Sequence, residues 1–255
     1  MSAKGLGPTM KEKSQITVCP QVGPEVLSMN DQATGLPCTC ADESVCGDCT
    51  LEDLLNCRYD EELVMCFRKR HLPYRGLALL TVGIASSVTS VWWMCFAYAL
   101  VTLLNFTLIE SWYLCRHCPF YVKEGRTLHC ITLKGMPRLW RYDPGPLNRT
   151  DRMAMLLVGG FIDLFPIVAG GYATWALFTV GADTVLVTAI AAMTILMLGV
   201  SVYIGRFLAD NYCVKCVNFS CVMSKTPKAV ADEYLQRNPF MREIWEACGY
   251  VLGDE

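Results

Sequence analysis

The stretch GLALLTVGIASSVTSVWWMCFAYALVTLLNFTLI, residues 76–109, decides the fold, because it carries no charged side chain from end to end. A bilayer core takes about 20 apolar residues per helix, with about 17 as the short limit. The run is therefore too long for one span and just long enough for a tight pair, with its reversal placed near Ser86 to Ser90. Glu110 is the only charge between Gly76 and Cys115. A second apolar region runs from Met153 to Leu208, broken at Gly181-Ala182-Asp183 into helices at about Met153 to Val180 and Thr184 to Leu208. Both are long enough to span with tilt.

The composition agrees with a membrane protein. Of the 255 residues, 53% are hydrophobic and 18% charged, against about a quarter charged in globular domains. With 22 basic and 24 acidic residues the formal net charge is -2, so the whole chain offers no footprint for nucleic acid. The segment from Met1 to Gln15 has no apolar run, and neither a secretory leader nor a transit peptide is expected.

Basic residues near span ends are retained in the cytoplasm. Arg68, Lys69, Arg70 and Arg75 precede the first apolar segment; Arg116 to Arg152 lie between the second and third; Arg206, Lys215, Lys225 and Lys228 follow the fourth. The two opposite turns hold neither Lys nor Arg. The expected architecture is thus an all-α, multi-pass integral membrane protein of about four transmembrane helices in two hairpins, with both termini cytoplasmic. It divides into a Cys-rich N-terminal region (1–74), hairpin 1 (75–114), a Cys/His loop (115–152), hairpin 2 (153–209) and a helical tail (210–255). The sequons at Asn105, Asn148 and Asn218 then face membrane or cytoplasm and stay unglycosylated, and the thiols of loop and tail are expected to be reduced.

Most of the 15 cysteines lie outside the apolar segments, in three groups. Cys38, Cys40, Cys46 and Cys49 form a compact quartet, with Cys19 upstream and Cys57 and Cys66 beyond. Cys115-Arg-His-Cys118 follows the second apolar segment, and His129-Cys130 completes a C-x2-C-x10-H-C pattern. Cys213-Val-Lys-Cys216 follows the fourth, with Cys221 five residues on. Each C-x2-C begins just past a helix end and is followed by Phe (Phe120, Phe219), and the topology puts both on one face. Two residues between cysteines form a knuckle that aims both sulfurs at one ion, and two knuckles complete a four-thiolate zinc shell. The metal-ligand candidates are therefore Cys115, Cys118, His129, Cys130, Cys213, Cys216 and Cys221, with zinc as the default ion and an iron-sulfur cluster as the alternative. The quartet Cys38, Cys40, Cys46 and Cys49 is a second candidate site.

Smaller signals complete the reading. Thr50-Leu-Glu-Asp reads as a capping box opening a helix toward His71. Asp163 lies about ten residues into the third span; an acid at that depth costs about 2.5–3.5 kcal/mol, and is expected either to serve a proton or ion path or to bond a neighbouring helix. Gly159, Gly160, Gly170, Gly171, Gly199 and Gly205 suit close helix packing. Trp92, Trp93, Trp112 and Trp175 suit interfacial belts. The tail from Lys228 to Gly249 reads as two short amphipathic helices.

The opening of the central loop resembles the zinc-binding loop of the DHHC palmitoyltransferases. After Cys130, however, the chain has no further C-x2-C in the loop and no Asp-His-His-Cys, so the resemblance implies no acyl transfer. No P-loop, dinucleotide fingerprint, H-E-x-x-H or G-x-S-x-G occurs. The expected function is a non-catalytic membrane subunit, in contact with lipid and other protein subunits, that uses cysteine-ligated metal to dock partners. An iron-sulfur electron-transfer subunit and a metal or ion transporter are the alternatives.

Overall fold

The computed structural model describes residues 37–40, 49–122 and 126–253; Cys40 contributes backbone only, and its side chain, with Cys19 and Cys46, lies outside the described set. Within that set the chain is helical and forms no strand. The principal elements are α1 (Glu61–Thr89), α2 (Trp93–Leu104), α3 (Glu110–Tyr113), α4 (Arg149–Thr179), α5 (Thr184–Asn211), α6 (Lys228–Arg237) and α7 (Pro239–Ala247). Three helical stretches are long and apolar enough to cross a membrane: Trp93–His117, Arg149–Thr179 and Thr184–Lys215. The first of these joins α2 to α3 through a π turn at Asn105–Ile109.

Helix α1 differs from the other three. Its N-terminal half carries Glu61, Glu62, Arg68, Lys69, Arg70 and Arg75, and it turns apolar only from Gly76 onward. It starts later than the Thr50 capping box predicts. Leu51 and Leu55 are drawn into a core outside the bundle, and the Thr50 hydroxyl bonds Glu233 of α6. The N-cap is instead Asp60, whose carboxylate accepts from the N–H groups of Glu62 (2.8 Å) and Leu63 (3.3 Å), satisfying orphan donors of the first turn. Cys57 thus precedes the helix that carries Cys66.

The two hairpin turns fall where turn chemistry asks. Ser90, in the left-handed region at φ 59°, ends α1, and Gly181 at φ 69° separates α4 from α5, a conformation glycine adopts without a Cβ penalty. The bundle core is one stripe of each helix: Tyr74, Ala78, Val82 and Ala85 from α1, Met94 and Tyr98 from α2, Ala169, Ala173 and Leu177 from α4, Ile190, Met197 and Ile204 from α5. Opposite faces expose Leu, Val, Ile and Phe side chains such as Phe96, Leu103, Val168, Phe178 and Ile195, the pattern of helices solvated by lipid. Trp92, Trp93 and Trp175 are exposed near the turn end, and Trp112 near the other. Of the six glycines expected at close contacts, Gly170 alone has a neighbour there. A Cβ on it would run into Thr194 Oγ1, whereas the other five face open space.

Beyond the bundle, three chain segments share a second core. Leu51 and Leu55, Phe120, Val217, Tyr234 and Leu235 of α6, and Met241 and Trp245 of α7 bury one another, with Cys38, Cys49, Cys57, Cys118 and Cys130 packed against them. The charged half of α1 is tied to the same end. Arg68 donates to the Lys134 carbonyl (2.9 Å), Lys134 pairs with Glu61 (3.2 Å), and the Tyr212 hydroxyl donates to the Leu63 carbonyl (3.0 Å).

Candidate thiol cluster and the polar core beside it

Two of the apolar spans end in the same way. Leu114 (φ -121°, ψ -55°) leads into a 3-10 turn at Cys115–His117, and Cys118 is extended at φ -87°, ψ 134°. Tyr212 (φ -115°, ψ -47°) leads into a 3-10 turn at Cys213–Lys215, and Cys216 is extended at φ -79°, ψ 130°. The N–H of the third turn residue bonds the residue before the first cysteine in both, His117 to Leu114 and Lys215 to Tyr212, each at 3.3 Å. A repeat separated by 98 positions in sequence is thus a repeat in backbone.

The two devices are joined in space. Asn218 Nδ2 donates to the Leu114 carbonyl at 3.1 Å, and Ser220 Oγ holds the Asn218 oxygen at 2.9 Å. Around this link Cys115 has Cys118, Cys130 and Cys221 as electrostatic neighbours, Cys216 has Cys213 and Cys130, and Cys221 has Cys216 and Cys213. All six predicted cysteines therefore occupy one end of the molecule. Backbone amides point at three of the sulfurs: Leu133 (3.1 Å) and Thr132 at Cys130, Asn218 at Cys216, and Met223 (3.4 Å) and Ser224 at Cys221. Such donors favour the thiolate. Burial acts the other way and dominates in the protein alone, pushing Cys216 up to about 11 and Cys221 up to about 12, and raising Cys130.

Among the described residues no three His, Cys, Asp or Glu side chains close on one point tightly enough to enclose an ion. The donor chemistry, soft sulfurs from two knuckles with amide donors behind them, fits thiophilic zinc or iron; a closed shell requires the neighbouring sulfurs to draw together. The histidines take other partners. His129 Nδ1 meets the Thr127 carbonyl at 3.1 Å. His117 sits between the knuckle and the Asp143-Pro-Gly-Pro turn, with Nδ1 on the Gly145 carbonyl (2.9 Å), Nε2 accepting from Arg116 (3.1 Å), and Asp151 3.6 Å away.

Of the second candidate site, the described part is Cys38 and Cys49. The Cys38 N–H donates to Asn238 Oδ1 (2.6 Å), and Asn238 Nδ2 reaches its sulfur (3.4 Å). Both cysteines lie close to Arg237 on the core that also receives Cys118 and Cys130, so the two candidate groups pack against one small core. Cys248, at the C-cap of α7, is disulfide-bonded. That departs from the expectation of reduced thiols throughout the tail, since tertiary proximity of two Cβ atoms decides whether a bond can close.

A polar cluster lies between helices of the bundle, with the Asp163 side chain half exposed. Asp163 accepts from Arg75 Nη1 (2.8 Å) and the Tyr74 hydroxyl (3.0 Å), and that hydroxyl also meets Ser201 of α5 (3.3 Å). Arg75 Nε donates to His71 Nε2 (3.1 Å), and the guanidinium lies over the rings of Tyr74 and Phe106. At the π turn the buried Asn105 donates to Glu110 (3.4 Å) and accepts from the Tyr113 hydroxyl (2.9 Å). In sequence Arg75 is a topology signal and Asn105 a sequon residue, and neither shows its partner. Their spacing from Glu110 in a run otherwise free of charge was the available clue.

No protein-family model matches this chain, and no curated protein and no solved structure is similar to it.

Proposed function

We propose that this chain is a non-catalytic membrane subunit of four spans, with termini and central loop in the cytoplasm. In this reading cysteine-ligated metal, zinc by default, ties loop and tail into a platform for partner proteins. The observation that carries the proposal is the pair of matched knuckles, Cys115/Cys118 and Cys213/Cys216, bridged by Asn218. Cys130 and Cys221 supply further sulfurs, and His129 stands outside the proposed set. A thiolate shell would contribute folding energy to a domain whose apolar core is small.

The fourth span is α1. From Gly76 to Thr89 it rises only about 21 Å at 1.5 Å per residue, less than the roughly 30 Å of hydrocarbon; begun at Arg70 it is long enough. Such a span carries Arg75 into the membrane, and the ion pair with Asp163 makes that tolerable, because intramembrane charges pair with one another. The same pair supports a structural role for Asp163 over an open ion path.

Anaerobic purification of the full chain followed by elemental analysis tests the reading. Stoichiometric zinc supports it. Absence of both zinc and iron overturns it, and a brown preparation with an EPR signal after reduction replaces the scaffold with the electron-transfer alternative, which the surplus of thiols favours.

A further inference from the structure

The polar cluster holds one cation committed elsewhere and two carboxyl groups. Arg75 gives Nη1 to Asp163 and Nε to His71 and stacks on Tyr74 and Phe106, so Asp163 has both a counter-ion and the Tyr74 hydroxyl. Glu110 has neither. Its hydrogen bond is to Asn105 Nδ2, at 3.4 Å, across the π turn, and among the described residues it forms no ion pair. The titratable groups around it are Arg75 from α1 and Asp163 from α4, Tyr113 and Cys115 from its own helical segment, and Cys130 from the loop. Beyond Arg75 stands His71, whose Nδ1 is buried without a partner. Arg75 is the sole permanent cation among these groups, and one guanidinium cannot neutralise two carboxylates. A carboxylate with no counter-ion in a low-dielectric site is relieved by taking a proton.

We propose that Glu110 is an intramembrane proton-binding site, protonated at neutral pH while Arg75 is held by Asp163, and losing that proton when the guanidinium is released to it. The proton lies between the fixed ion pair and the thiol end, five residues from Cys115. None of the proposed metal ligands binds this proton, so the site is tested apart from the scaffold reading, with metal content matched across variants because Cys115 and Cys130 are electrostatic neighbours of Glu110.

A hydrophobic carbodiimide tests it on the full chain in liposomes. The acid form of a carboxyl adds across the reagent: its proton goes to one nitrogen, its oxygen bonds the central carbon, and acyl migration to nitrogen leaves a stable adduct that retains the whole reagent mass with no leaving group. The peptide bearing Glu110 is expected to gain one reagent at pH 7, with labelling falling as pH rises. Glu110→Gln abolishes it. Asp163→Asn, which frees Arg75 for Glu110, lowers it severalfold. Infrared spectra of the unaltered protein should show a carboxylic-acid C=O band in the membrane core. Labelling at Asp163 in place of Glu110, or no label at Glu110 together with no such band, overturns the proposal.

Discussion

The bundle and the thiol end are held by different physics. Inside the bundle, stripes of Ala, Val, Ile and Met pack one another over the length of four helices, and polar groups gather in one cluster around a single ion pair. At the thiol end the packing is split between two small clusters, eight buried residues from three chain segments in one and Cys115, Tyr121, Leu128 and Leu133 in the other, and what fills their surroundings is cysteine, single side-chain bonds and the tail helices. The contrast teaches that the bundle is over-determined by repeated apolar contacts, while the thiol end hangs on a few specific groups whose loss is not shared out among neighbours. It also places the linkers: Asn218 and Tyr212 reach from the second knuckle to the other segments.

The largest expected effect breaks the comparison on the thiol side. Cys118→Ser and Cys216→Ser are each expected to remove most of the bound metal and to expose the tail to limited proteolysis, while helicity of the bundle is retained. Loss of nearly all the metal in each variant indicates one shared site; loss of half in each indicates two. Asp163→Leu acts on the other side. It leaves Arg75 in the bundle without its counter-ion; thermal stability in detergent should fall while metal content per folded protein is unchanged.

Asn218→Leu tests the bridge between the regions. The Leu114 carbonyl keeps the His117 N–H but loses its side-chain donor, at a cost of about 0.5–1.5 kcal/mol, and hydrogen exchange should rise in both knuckles and not in the bundle. The smallest effect concerns the tail. Asp232 is buried, and although burial alone would raise it, the Lys228 ammonium, the Tyr250 hydroxyl and the Gly253 N–H hold it below the usual carboxylate range. A lowered folded-state value means this contribution is complete above the unfolded value of about 3.9 and lost as pH falls through the folded one. Tail fluorescence from Trp245 should therefore show acid loosening that is absent in Asp232→Asn, which should be loosened already at neutral pH.

Much of this was legible because it depends on local rules. The turn at Ser90, at the end of the expected stretch, and the break at Gly181 follow from small residues in long apolar runs, and the knuckles from C-x2-C at two helix ends. The helix start at Glu61 was not legible. Thr50 and Asp60 both offer capping oxygens, and the choice was made by Leu51 and Leu55 burying themselves against α6 and α7, far away in sequence. The glycines show the same limit: composition names six suitable for packing, and only at Gly170 does a neighbouring helix arrive. Asp163 was recognisable as needing a partner, but Arg75, 88 positions away, could not be chosen from several arginines.

The sequence by itself determined that this chain makes long apolar helices, where they turn, and that matched cysteine pairs close two of them, because hydrophobic length, turn propensity and residue spacing are properties of contiguous chain. Tertiary structure alone decided which thiols are neighbours, that His117 and His129 bond carbonyls, and that Arg75 serves Asp163 and leaves Glu110 unpaired. Those outcomes depend on which helices lie side by side at which height, and only the packed bundle settles that.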